Sequence, residues 1–175
     1  MKRTLINLML AAGMSHRMRS TLEFGVAMAL LLLLSAMAVA RFESYLTKSQ
    51  IMEAFSLSSA LRVDMMVHRA QQGHWPETIS ALGYDDVTNY DIGAYVDHLD
   101  ISADGALTAV FQEGSATPRL QGRRLTLRPL IHPNNAGAPV LWVCAQHQYV
   151  AGLVPGGLDE TDIAPINLPL ACRNY

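Results

Sequence analysis

The feature that most constrains this chain is the uncharged stretch from Phe24 to Ala40, FGVAMALLLLLSAMAVA, bracketed by Arg17 and Arg19 on one side and Arg41 on the other. Ser35 is its only polar side chain. As a helix it extends roughly 26 Å at 1.5 Å per residue, the short end of what crosses a hydrocarbon core. Leu22, Phe42 and the flanking arginines, whose stems run along apolar surface, close the gap. Lys2, Arg3, Arg17 and Arg19 all precede it, which favours a cytoplasmic N-terminus and export of everything after Arg41. The expected division is a leader or cytoplasmic segment over residues 1–20, a membrane half-helix over 21–42 and an exported globular domain over 43–175.

Of the 175 residues, 50% are hydrophobic, so the exported part has room for one core of ordinary size. A net charge of −2 argues against general nucleic-acid affinity of the whole surface. Cys144 and Cys172 form an even pair on the exported side and read as one disulfide, the alternative being two buried free thiols. The stretch from Met1 to Arg19 is basic with a short apolar run from Leu5 to Met14, too short to span. It reads as a leader, or as upstream sequence if translation starts at Met14 or Met18.

Beyond Arg41 the pattern becomes amphipathic. Leu46, Ile51, Ala54, Phe55, Leu57, Leu61 and Met65 recur at three- and four-residue steps among Lys48, Glu53, Arg62, Asp64 and Arg69. No proline occurs between Arg19 and Trp75. The spacing therefore predicts one continuous helix of about 50 residues, ending at Gly73 with Pro76 just beyond. Glu77 to Ala94 reads as a loop. Tyr95 to Ser102 and Ala106 to Phe111 read as a hairpin around a two-residue Asp104-Gly105 turn. Leu125 to Leu130 and Val140 to Ala145 read as two more strands. The expected fold class is α+β: a long N-terminal helix packed on a four-stranded antiparallel meander, with a glycine- and proline-rich segment, Gln146 to Tyr175, tied on by the disulfide.

Together these features resemble the type IV pilins, of the type IVa kind or a minor pilin or pseudopilin built on the same plan. The resemblance is carried by Glu23 at the edge of the membrane helix and by GHWP at Gly73 to Pro76. It continues through ISADGALTAVF at Ile101 to Phe111, GRRLTLRP at Gly122 to Pro129, LWVC at Leu141 to Cys144 and NLPLAC at Asn167 to Cys172. It implies a filament subunit: residues 21–42 serve assembly as well as membrane insertion, the helices bundle in a fibre core, and the sheet domains face outward. The disulfide loop then sets subunit contacts and surface chemistry. Implied partners are other pilin subunits, the inner membrane and the pilus assembly machinery. Implied roles are motility, adhesion through tyrosines such as Tyr149 and Tyr175, or DNA uptake.

Within that resemblance Glu23 and Phe24 are the assembly residues. A carboxylate in an apolar bundle needs a partner, and the neighbouring subunit's N-terminal amine would supply one. The plainer reading has Glu23 reaching the headgroups. Two departures favour a minor or divergent subunit. Counting back from Glu23 puts Arg19 first and Met18 before the cut, so the glycine of the family's processing site is missing, and the helix lacks the proline that often kinks it. A competing reading takes Ala38-Val39-Ala40 as a secretory cleavage site and leaves a soluble exported binding domain.

Catalytic signatures are absent from the sequence. His68, His74, His98, His132 and His147 are scattered without metal-ligand spacing, and no GxSxG, P-loop or dinucleotide fingerprint occurs. The expectation is no enzyme, no cofactor and no metal, with a tethered periplasmic enzyme as the rival class. Asp85, Asp86, Asp91, Asp97 and Asp100, and likewise Asp159, Glu160 and Asp162, read as solvated acidic stretches or as calcium ligands lacking the spaced pattern. Arg119, Arg123, Arg124 and Arg128 fall within ten residues free of acids. Alternation along a strand puts several of them on one face, which reads first as a solvated or subunit-facing stripe and second as a contact for DNA phosphates.

Overall fold

The computed structural model describes residues 16–84, 93–135, 137–145 and 150–173. Of the leader or cytoplasmic segment expected over residues 1–20, residues 1–15 lie outside the described residues, as do Asp85, Asp86, Asp91, His147, Tyr149 and Tyr175, and residues 16–20 are already helical. The chain divides into two compact units, Met1–Phe42 and Glu43–Tyr175. Helix α1 covers His16–Gln72, and its second half belongs to the globular unit.

In the globular unit α1 buries Thr47, Gln50, Ile51, Ala54, Ser58, Leu61 and Met65, the three- and four-residue rhythm of one helix face. Ile51, Ala54, Leu61 and Met65 share a core with Val96, Leu99, Leu107, Ala109, Phe111, Leu125 and Leu127. Along one edge of this face polar side chains tie loop ends to the helix. Gln50 Oε1 accepts from Thr117 N at 2.8 Å and Glu53 Oε2 from Tyr95 N at 3.1 Å, while Glu53 Oε1 accepts from Ala94 N. The helix stops where Gly73 turns left-handed (φ 81°) and its N–H bonds back to Arg69 O at 2.9 Å, the usual glycine termination.

The sheet contains β1 (Val96–Ile101), β2 (Leu107–Phe111), β3 (Arg124–Ile131) and β4 (Leu141–Cys144), in that order and antiparallel throughout. Two details depart from expectation. A fifth strand, β5 (Val154–Pro155), lies in the segment that has no sequence period of its own. Leu130 of β3 pairs with Leu141 on one side and with Pro155 on the other, so β5 continues the edge where the shorter β2 stops. The hairpin turn is also wider than two residues: Ser102 N donates to Ala106 O at 2.9 Å and Gly105 N to Ser102 O at 2.8 Å. Gly105 sits at φ 85°, the left-handed position of a three-residue loop.

The ring of Trp75 packs against this turn. A Cβ on Gly105 would fall 2.5 Å from the indole. Trp75 meets Trp142 of β4 edge to face at 6.1 Å between centroids, and Arg69 and Arg62 cover the two rings at 4.8 and 5.6 Å. Aromatic and cation–π contacts thus join the helix end, the hairpin and β4. Desolvation in this setting lowers the pKa of the Arg62 guanidinium. Gly105→Ala is expected to cost about 2 kcal/mol or more, combining left-handed strain with displacement of the Trp75 ring. Urea unfolding of the variant measures it, and a loss below ~0.5 kcal/mol would contradict the packing described.

Candidate functional site

Two regions carry the side chains singled out in the sequence. In the N-terminal unit every described side chain from Ser20 to Val39 is exposed. Phe24 is 68% exposed and Leu32 67%. Ser35 Oγ donates to Leu31 O at 2.8 Å, so the only hydroxyl of the apolar run is satisfied within the helix and adds little cost in an apolar medium. Among the described residues this is the one helix long and apolar enough to cross a membrane. The segment from Thr21 to Phe42 extends about 33 Å at the helical rise. Glu23 is exposed at its edge, one turn beyond Arg19, and forms no ion pair among the described residues. An apolar surface this continuous is consistent with membrane anchoring.

The second region is the C-terminal segment. Cys144 at the end of β4 is bonded to Cys172, with Cα atoms 4.9 Å apart. Both residues are buried, at 5% and 1% exposure. Between β5 and Cys172 the segment crosses the sheet face opposite α1. Leu125 and Leu127 belong to the core, so Arg124, Thr126 and Arg128 point to that opposite face. Gly156 and Gly157 pass the hairpin so closely that an added Cβ would lie 2.4 Å from Asp104 O and 2.6 Å from Ala106 Cβ respectively. Glu160 N donates to Thr126 Oγ1 at 3.1 Å, and Thr126 Oγ1 lies 3.0 Å from Thr108 Oγ1, so a polar pair that would face water is buried under the strap. Past the end of β4, Asp162 takes over its edge of β3: Oδ1 accepts from Arg124 N at 2.7 Å and its N–H donates to Arg124 O at 3.3 Å. Ile163 and Leu168 then enter the core.

The structure brings the basic and acidic clusters together. Arg123 pairs with Asp162 at 3.4 Å, Arg124 with Glu160 at 2.9 Å and Arg128 with Asp159 at 3.9 Å. Arg119 pairs with Glu43 of α1 at 3.2 Å. The stripe expected from alternation is therefore incomplete. Arg119 lies in the turn between β2 and β3 rather than on a strand, and Arg128 is buried at 6% exposure. Each guanidinium that would meet a DNA phosphate is already engaged by a carboxylate of the same chain. Among the described residues no three of His, Cys, Asp and Glu come together to hold a metal ion. His68 and His74, unrelated in the sequence pattern, are brought side by side at the end of α1.

Comparison with known proteins adds a separate line of evidence. The pilin family, described as a bacterial filament family, matches residues 47–173. A type IV major pilin protein PilE1 of Neisseria gonorrhoeae is 25% identical over 157 residues, 87% of this chain and 84% of that protein. The fimbrial protein EcpC of Eikenella corrodens is 27% identical over 110 residues, 61% of this chain and 70% of its own length. A fimbrial protein of Neisseria meningitidis serogroup A is 22% identical over 125 residues, covering 71% of this chain and 70% of the relative. The family match spans the second half of α1, all five strands and the disulfide, the same elements whose order and pairing are described above. On that footing the chain belongs to the pilin family.

Proposed function

We propose that this protein is a structural subunit of a type IV pilus or a related filament, and that it polymerises through the apolar half of α1. The observation that carries this reading is the exposed, uncharged surface from Phe24 to Val39 leading into a pilin-family domain. Before assembly the same surface holds the subunit in the inner membrane, N-terminus inside and globular unit in the periplasm, where the assembly machinery collects it. In the fibre, neighbouring helices replace lipid around it. Glu23 then pairs with a cationic group of the adjacent subunit, because an unpaired carboxylate inside such a bundle is costly. The four arginines serve the fold and the strap rather than DNA. A structural role, not catalysis, accords with relatives named as pilins and fimbrial proteins.

The test is the intact mass and N-terminal residue of the protein recovered from membranes and from sheared surface material. A chain starting near Arg19 in the sheared fraction is the expected result. A chain starting at Arg41 would overturn the proposal, because the assembly helix would be gone. Leu32→Asp, which puts a charge at the centre of the span at about 2.5–3.5 kcal/mol, is expected to deplete both fractions. Undiminished surface material from that variant would contradict assembly through this helix.

A further inference from the structure

His68 lies in the last turns of α1 and His74 just past its Gly73 stop. Their rings stand 5.3 Å apart between centroids, inclined at 70°. His68 Nδ1 is 3.2 Å from His74 O, and His74 Nδ1 is 2.9 Å from Trp75 O. A carbonyl oxygen only accepts, so in both rings Nδ1 must carry the proton and donate it. In the neutral imidazole that leaves Nε2 with the free lone pair. This is the tautomer that metal-ligating histidines adopt when a backbone carbonyl orients them. An ion bound by two Nε2 atoms at 2.0–2.1 Å with a tetrahedral angle between them sets ring centres roughly 5 Å apart, in accord with the observed spacing.

We propose that His68 and His74 form a two-histidine site for a borderline divalent transition-metal ion, Zn²⁺ or Cu²⁺. The ligand class follows from the donors, since imidazole nitrogens favour these ions over the oxygen-seeking Mg²⁺ and Ca²⁺. The neighbouring charges are compatible with a cation. Arg69 is folded over Trp75, with its Cζ 4.8 Å from the ring centroid. Asp64, one turn before His68 on the same helix face, lines a common cleft with it and accepts a hydrogen bond from Tyr84. Two protein ligands leave positions for water or for a donor from another molecule. A bound ion would fasten the last turn of α1 to the segment that carries Trp75. The proposal concerns the globular unit alone and is independent of filament assembly.

The experiment is titration of the full chain in non-ionic detergent with ZnCl₂, followed by calorimetry, thermal melting and the ¹⁵N resonances of the imidazoles. The expected result is one ion per chain, a Zn²⁺-dependent rise in Tm, and shifts confined to Nε2 of His68 and His74. His68→Gln and His74→Gln should each weaken binding at least tenfold and abolish the Tm shift. His98→Gln and His132→Gln should leave both unchanged. Unaltered binding in the His68→Gln, His74→Gln double variant would overturn the site, as would loss of binding on replacing His98 alone. Should a variant fail to fold, the wild-type imidazole shifts decide: changes at other histidines only, or none at millimolar Zn²⁺, overturn it equally.

Discussion

A Cys144→Ala, Cys172→Ala double variant is expected to be less stable than the oxidised wild type by about 3–4 kcal/mol. The estimate comes from chain entropy: the bridge closes residues 28 apart in sequence, and a loop of that size costs about this much to close in the unfolded chain. The other ties of the segment are individually weaker. β5 contributes two residues, and the pairs Arg123–Asp162 and Arg124–Glu160 are about half exposed, a setting in which each is worth about 0–1 kcal/mol. Ile163 and Leu168 are buried and supply the main apolar hold. Urea unfolding of the variant and of reduced wild type measures the difference, and the two should agree, since both remove the same link. Limited proteolysis locates it: new cleavage between residues 150 and 170 is expected, with the core of α1 and β1–β3 protected until global unfolding. A loss under ~1 kcal/mol would mean that the strap is held by its core contacts and that the disulfide is dispensable for the fold.

How much of this was legible beforehand depends on whether the signal is local. The helix was, because its face repeats at three and four residues for many turns and nothing interrupts it before Gly73. So were β2 to β4, whose apolar residues form runs long enough to recognise, and β1 through the turn that joins it to β2. β5 was not, because two residues carry no period; it exists only because β3 outruns β2 and leaves Leu130 and Ile131 with an unpaired edge. The hairpin turn is wider than its central Asp-Gly pair implies, and Trp75, some thirty residues upstream, packs on its Gly105, a contact no local pattern carries. The arginine cluster and the acidic trio were each visible, but their meeting was not. They are separated by more than thirty residues, and only the path of the strap across β3 pairs them. The neighbouring histidines were hidden for a similar reason. Six residues apart, with a helix end between them, they match no ligand spacing, and the left-handed turn at Gly73 is what folds one back onto the other.

Within the basic set, one arginine should behave unlike the rest. Arg128 is 6% exposed, its Nη2 donates to Ala145 O at 3.1 Å, and Asp159 Oδ2 stands 3.9 Å away. Ala145 is the one non-glycine residue with positive φ, 50°, among the described residues. It immediately follows Cys144, so Arg128 bonds the backbone directly beside the disulfide. Replacing Arg128 by Met is expected to cost about 3–5 kcal/mol, because it removes the cation from beside the Asp159 carboxylate in a largely dry site, where that carboxylate keeps the Thr161 N–H, and it releases the Ala145 carbonyl. Arg124→Gln, which breaks an exposed pair, should cost no more than about 1 kcal/mol. Adding Asp159→Leu to Arg128→Met should restore much of the loss, since no buried charge then lacks a partner. Urea unfolding of the four proteins, at low and at high salt, separates the effects. Salt should reduce the contribution of Arg124 by screening and leave that of Arg128 nearly unchanged. Equal losses for Arg124→Gln and Arg128→Met would show that the cluster acts as a surface network, with no privileged member under the strap.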